Sequence, residues 1–312
     1  MAFWNKNKKK IIKRKKAVKK KDKAIRKTIK KISKPARKTL NKRSVKKAFK
    51  RKDKLKPVNT QWLKTGVSGF DELLDKGIPR SSTILLCGGP GTGKTIFGLQ
   101  LCYFGALAGE KCLYISFEES EEDLRKHMND FGWDPEPLEK KGLLMIKKDA
   151  PFRVSRTVEG LVAKAKGELS SNFKPLILPK GFKPDRLVID SLSAVSAAFT
   201  GHEDSYRVYV DELMDFLEAG GTTSFLITEI EQLPTHFLTR TGVDEFLADG
   251  VFVFYYIRKG DVRERACEVM KLRGASHVEK VVPMRIESGK GMIVYPEESV
   301  FGGFEDEGSN KS

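Results

Sequence analysis

Ser82-Thr83-Ile84-Leu85-Leu86-Cys87-Gly88-Gly89-Pro90-Gly91-Thr92-Gly93-Lys94-Thr95 runs an apolar stretch into a glycine-rich turn. The stretch Thr83–Cys87 reads as a strand. The turn matches G-x-x-x-x-G-K-[ST] at every fixed position. Its glycines let the backbone bend until successive N–H groups point inward at an anion. In such a turn Lys94 reaches β- and γ-phosphates and the Thr95 hydroxyl ligates Mg2+. Ile96-Phe97-Gly98-Leu99-Gln100-Leu101 supplies the helix whose N-terminal dipole faces the same anion. Gly88, Gly89, Pro90, Gly91, Thr92, Gly93, Lys94 and Thr95 are therefore the expected phosphate cradle.

A cradle that supports hydrolysis needs further acids. Arg186-Leu187-Val188-Ile189-Asp190-Ser191 reads as an apolar strand ending in a carboxylate, so Asp190 is expected on the Mg2+ side. A second strand, Cys112-Leu113-Tyr114-Ile115-Ser116-Phe117, ends in Glu118 and Glu119. Paired carboxylates repel, and one of such a pair takes up a proton the more readily. Glu118 and Glu119 are the expected catalytic acids. Glu121 and Glu122, one turn on, are accounted for by the dipole of the helix they begin.

The 312-residue chain carries a net charge of +18, divided unevenly. Residues 1–57 hold 28 Lys and Arg against Asp22 and Asp53, and the remainder is mildly acidic. No packed core tolerates that density of cations. Ile11, Val18, Ile25 and Ile32 nevertheless recur at intervals of seven, with Ile29 beside them, so a polyanion would neutralise this arm and induce a helix with one apolar stripe. Nucleic acid is the first expected partner, because Lys and Arg release counterions from phosphates. An anionic membrane surface, helped by Phe3 and Trp4, and a purely solubilising tail are the alternatives. There is no apolar run near the ~20 residues of a membrane span and no secretory h-region. Cys87, Cys102, Cys112 and Cys267 show no metal-binding or disulfide spacing, and a reducing cytoplasm is expected.

Thr65-Gly66-Val67-Ser68-Gly69-Phe70-Asp71-Glu72-Leu73-Leu74, Gly77-Ile78-Pro79, Ser116-Phe117-Glu118-Glu119, Phe131-Gly132-Trp133, Val188-Ile189-Asp190-Ser191 and Lys271-Leu272-Arg273-Gly274-Ala275-Ser276-His277 follow one another in the order seen in RecA-like ATPases of the KaiC family. Over roughly residues 60–296 the chain resembles the single-domain, KaiC-like ATPases common in archaea. The resemblance implies ATP and Mg2+ as cofactors, Glu118 and Glu119 as the catalytic pair, and a ring of subunits, a hexamer being suspected. It implies that Lys271 and Arg273, with His277 nearby, reach the nucleotide of a neighbouring subunit. Thr228 and Glu229, ending Ser224–Glu229, fall near the γ-phosphate as sensors. Where the clock protein's second domain has an adjacent Ser-Thr phospho-acceptor pair, this chain has Val243-Asp244-Glu245-Phe246-Leu247, so autokinase activity and a circadian role are not implied. Residues 1–57 have no counterpart in the family.

The expected fold is α/β of RecA-like P-loop type, with a mostly parallel central sheet and helices on both faces. Its expected parts are a basic arm over 1–57, an ATPase domain over 58–300 and a short acidic tail over 301–312. Lys174–Asp185 reads as an inserted surface loop, and Phe252–Ile257 as a buried strand. The functional expectation is a ring-forming ATP hydrolase whose arm binds nucleic acid. A nucleotide-dependent scaffold with little hydrolysis and a recombinase-like DNA repair mediator are the alternatives.

Overall fold

A computed structural model describes residues 62–150, 176, 178–197, 199, 203–230 and 244–301. The expected arm, the acidic tail beyond Phe301 and most of the stretch before Leu178 lie outside the described residues. The strands are β1 (Trp62–Leu63), β2 (Ile78–Pro79), β3 (Thr83–Gly88), β4 (Cys112–Ser116), β5 (Leu144–Lys148), β6 (Arg186–Asp190), β7 (Thr223–Glu229), β8 (Gly250–Lys259), β9 (Val262–Leu272), β10 (Val282–Glu287) and β11 (Gly291–Val294). The helices are α1 (Lys94–Leu107), α2 (Glu121–Asp130), α3 (Glu136–Lys140), α4 (Leu192–Ala197), α5 (Glu203–Gly220) and α6 (Asp244–Leu247).

Among the described residues the main sheet has nine strands in the order β11-β10-β9-β8-β3-β7-β6-β4-β5. From β8 to β5 every neighbouring pair is parallel. From β8 to β11 the pairs are antiparallel, a meander added to the parallel core. The strand that carries the cradle, β3, lies between β7 and β8 in the interior of the sheet. That position explains its uninterrupted apolar run. Ile84 and Leu86 enter one core with Phe97, Leu99 and Leu101 of α1, while Leu85 and Cys87 enter the other with Leu213 and Leu217 of α5. Helices thus cover both faces, as expected of a parallel sheet.

Aromatic rings tie the first core together. Phe97 meets Phe70 at 5.0 Å and Phe254 at 5.1 Å between centroids, so α1, the turn before β2 and the strand β8 share one cluster. Tilted and edge-on pairs of this kind add to what burial alone contributes. At α2, Ser120 caps the helix by accepting from the Asp123 N–H, which leaves Glu121, Glu122 and Asp123 in the favourable first turn.

One expectation needs correcting. Phe252, Val253 and Phe254 are buried, but Tyr256 is 43% exposed. The reason is register: β8 pairs with β3 only as far as Phe254, after which the β8–β9 hairpin continues without the central strand beneath it.

Candidate nucleotide-binding and catalytic site

The cradle leaves β3 and ends where α1 begins. Gly93 takes φ 101°, and a Cβ there would lie 2.8 Å from Ile286 Cδ1. Gly88 is excluded from substitution by proximity instead, since a Cβ would stand 2.6 Å from the Phe254 carbonyl oxygen. Thr92 braces the turn from within, its hydroxyl donating to Gly89 O at 2.8 Å. Lys94 is buried, and its ammonium donates to Gly88 O at 2.8 Å and Gly89 O at 2.9 Å. Burial pulls the Lys94 pKa below the usual lysine value, while Glu229, Asp190 and Glu118 pull it back up.

Parallel register delivers the acids. Asp190 closes β6, one strand beyond β7, and Ser116 pairs with Asp190 across β4 and β6. The Thr95 hydroxyl donates to Asp190 Oδ2 at 2.9 Å, and the Tyr114 hydroxyl donates to the same oxygen at 2.6 Å. Burial raises the Asp190 carboxyl above the ordinary value, the Tyr114 and Thr95 hydrogen bonds oppose this, and Glu118 and Glu119 add to it. The Asp190–Ser191 peptide is cis. Just beyond β4, the backbone N–H groups of Glu118 and Glu119 both donate to Ser116 Oγ, at 3.2 and 2.9 Å.

From that shared turn the two carboxylates part. Glu118 Oε1 accepts from Ser191 Oγ at 2.5 Å and lines a cleft of about 320 Å³ with Lys94, Thr95, Asp190, Ser191 and Glu229. Glu119 Oε2 lies 2.8 Å from His127 Nε2 on α2, and Glu119 does not line the cleft. The structure therefore brings together Pro90, Gly91, Gly93, Lys94, Thr95, Asp190, Glu118 and Glu229 of the expected residues. Thr228 is buried, with its hydroxyl 3.5 Å from Ser193 Oγ, and Ser193 Oγ accepts from the Glu229 N–H at 2.8 Å.

Lys271, Arg273 and His277 lie away from their own chain's cleft. Lys271 Nζ donates to Ala248 O at 2.6 Å and Glu245 O at 2.9 Å, and Arg273 donates to Phe246 O at 2.8 Å. Both cations thus hold carbonyls at the end of α6, as basic groups commonly do at helix C-termini. Burial, then the charge of Arg273, lowers the Lys271 pKa, with Asp249 opposing. His277 forms an isolated bridge with Leu74, and its Nδ1 is buried without a hydrogen-bond partner.

Four residues that the sequence did not single out complete the surroundings: Tyr114, Ser191, His127 and Arg265. Arg265 Nε donates to Gly91 O at 3.0 Å while its guanidinium lies 4.8 Å from the Tyr256 ring centroid. Only Ser191 carried a local signal, its position directly after Asp190.

Among the described residues no group of three or more His, Cys, Asp and Glu gathers to hold a metal by protein ligands alone. Thr95 and Asp190 instead offer adjoining hydroxyl and carboxylate oxygens. Such hard donors suit Mg2+, which draws most of its shell from phosphate and water. The donor set fits.

A glycine-rich turn between a central parallel strand and a helix, faced by the acid that ends a nearby strand, defines a RecA-like nucleotide-binding P-loop protein. The family model described as "ATPase: KaiC" matches residues 63–299. The chain belongs to this KaiC family of ATPases. The Circadian clock protein KaiC3 of a Synechocystis species is 32% identical over 237 residues, covering 75% of this chain and 45% of that protein. The UPF0273 protein PH0284 of Pyrococcus horikoshii is 31% identical over 241 residues, 76% of this chain and 95% of its own length. The chain spans about half the length of the clock relatives it matches. The solved structure of the KaiC-like protein PH0186 from Pyrococcus horikoshii OT3 aligns with a TM-score of 0.62 at 34% identity, covering 76% of this chain and 100% of that one. No helix among the described residues is long and apolar enough to cross a membrane.

Proposed function

We propose that the chain binds and hydrolyses ATP in the cleft above β3, and that Lys94, Thr95, Asp190 and Glu118 carry the reaction. The observation that supports this most is their convergence on one cleft from two elements, α1 and β6, and the turn after a third, β4. Lys94 would exchange the Gly88 and Gly89 carbonyls for β- and γ-phosphate oxygens, whose charge offsets the burial of its ammonium. Thr95 and Asp190 would hold Mg2+, which when bound supplies positive charge against the phosphates. Glu118 would accept the proton of the attacking water as the bond from γ-phosphorus to the β–γ bridging oxygen breaks. Ser191, bonded to Glu118 Oε1, fixes the direction of that carboxylate.

The same reading includes a ring in which Lys271, Arg273 and His277 serve a neighbour's nucleotide; their separation from their own cleft is compatible with this. It also assigns nucleic acid to the basic arm on charge. Steady-state ATP hydrolysis by the full chain and by residues 58–312, each with and without polynucleotide, tests the hydrolysis and the role of the arm. Stimulation confined to the full chain is expected, with binding that falls steeply with salt. Lys94→Ala should abolish turnover, and turnover surviving that change would overturn the site. Equal polynucleotide affinity of the two chains would overturn the role of the arm.

A further inference from the structure

Tyr114 is an oddity on β4: a phenol, 0% exposed, on a strand otherwise built of apolar residues and a terminal serine. A phenylalanine would fill the same volume without requiring a hydrogen-bond acceptor, and a buried phenol left unpaired is costly. Here the acceptor is Asp190 Oδ2, at 2.6 Å. The ring has little freedom to swing away. A Cβ on Gly98 of α1 would come within 3.2 Å of Tyr114 Cε2 and 3.0 Å of Val188 Cγ1, so helix and sheet close on the ring where α1 lacks a side chain. Asp190 Oδ2 is therefore held by Tyr114 from within the sheet and by Thr95 from the cradle. Oδ1 has no hydrogen-bond partner among the described residues and is not among the enclosed unpaired atoms.

We propose that Tyr114 is a positioning residue for Mg2+: by pinning Oδ2 it commits one Asp190 oxygen to the protein and leaves the other to the cleft. The proposal rests on the reading of Thr95 and Asp190 as the magnesium pair. Partners that orient a metal-facing ligand commonly change metal affinity 10- to 100-fold when removed.

The test compares the full-length chain with Tyr114→Phe, following a fluorescent ATP analogue in EDTA and across a Mg2+ titration. Affinity in EDTA should stay within about twofold, half-saturating Mg2+ should rise about tenfold, and excess Mg2+ should restore ATP turnover toward the parent rate. A merely structural role would weaken nucleotide binding with and without Mg2+ alike and give no rescue, and that result overturns the proposal. Superimposable Mg2+ curves for the parent and Tyr114→Phe also overturn it while leaving the magnesium pair intact. If the parent chain itself shows no Mg2+ response, both the pair and the proposal fall. Tyr114→Met, flexible and apolar, repeats the comparison should the phenylalanine variant not fold.

Discussion

Glu118 and Glu119 are neighbours in sequence that answer to different partners, and single amide substitutions should separate them. Glu118→Gln preserves an oxygen able to accept from Ser191 but removes the acceptor for a water proton. A positioned general base contributes about 10²–10⁴ in rate, or about 3–5 kcal/mol at 1.36 kcal/mol per decade. Glu119 is tied to His127 in a pair whose side chains are 37% and 42% exposed. Such a pair is worth about 0–1 kcal/mol, so even if all of it were expressed in the transition state, Glu119→Gln would slow turnover by no more than about fivefold. The two effects should thus differ by at least about twentyfold. Phosphate release at saturating ATP measures them, with bound fluorescent nucleotide showing that each variant is loaded. Equal losses would refute the separation and mean that the carboxylates act as a unit despite pointing apart. Undiminished turnover in Glu118→Gln would remove the base assignment altogether.

Asp244 gives the pH prediction. Burial raises its pKa to about 6, the Tyr206 hydrogen bond holding it back and Glu245 adding to it. The folded state then holds its proton more tightly than the unfolded chain, so this contribution to stability is full below about pH 4 and is lost as pH rises through about 6. At about 1.4 kcal/mol per unit the loss is about 3 kcal/mol, and urea midpoints across that window should fall in the parent and stay flatter in Asp244→Asn. Parallel pH profiles would contradict this. Glu110 joins Arg80 and Arg186, and the Arg186 side chain is only 5% exposed. Glu110→Ala leaves that guanidinium with Leu101 O at 3.3 Å, so a loss of about 3–5 kcal/mol is expected in denaturant titration, and under 1 would be a failure. Gly291 has φ 82°, and a Cβ there would lie 2.2 Å from Trp133 Cζ2 and 2.6 Å from Gln100 Oε1. Gly291→Ala should cost about 2–4 kcal/mol through strain and overpacking, lowering the melting temperature by roughly 5–15 °C; a shift within 2 °C would count against it.

The unequal legibility of this chain follows from where each requirement is written. The cradle was readable because glycines, a buried run and a helix start are local demands on backbone and burial, each satisfied within a dozen residues. Asp190 was readable because a strand of apolar residues ending in an acid is likewise a local pattern. The antiparallel meander was not, since Val262–Leu272 opens on Arg263-Glu264-Arg265 and shows no regular period, and only its pairing with β8 reveals the partner. Tyr114 read as core because its acceptor lies 76 residues further on. The split of Glu118 from Glu119 depends on Ser191 and on His127, one across the sheet and one on the following helix, and adjacency in sequence concealed it.

Lys271 and Arg273 show the same limit from the other side. The resemblance assigned them to a neighbour's nucleotide, and the residues themselves held no sign of α6. In the chain they hold the carbonyls of Glu245, Phe246 and Ala248. In the proposed ring, a phosphate in an adjoining subunit would have to compete with those carbonyls for the same donors, and each carbonyl released near α6 would have to find water or another N–H to avoid the cost of an unmet acceptor. Any reach of these cations across an interface therefore alters the capping of α6, which ties the identity of the helix end to the state of the neighbouring site.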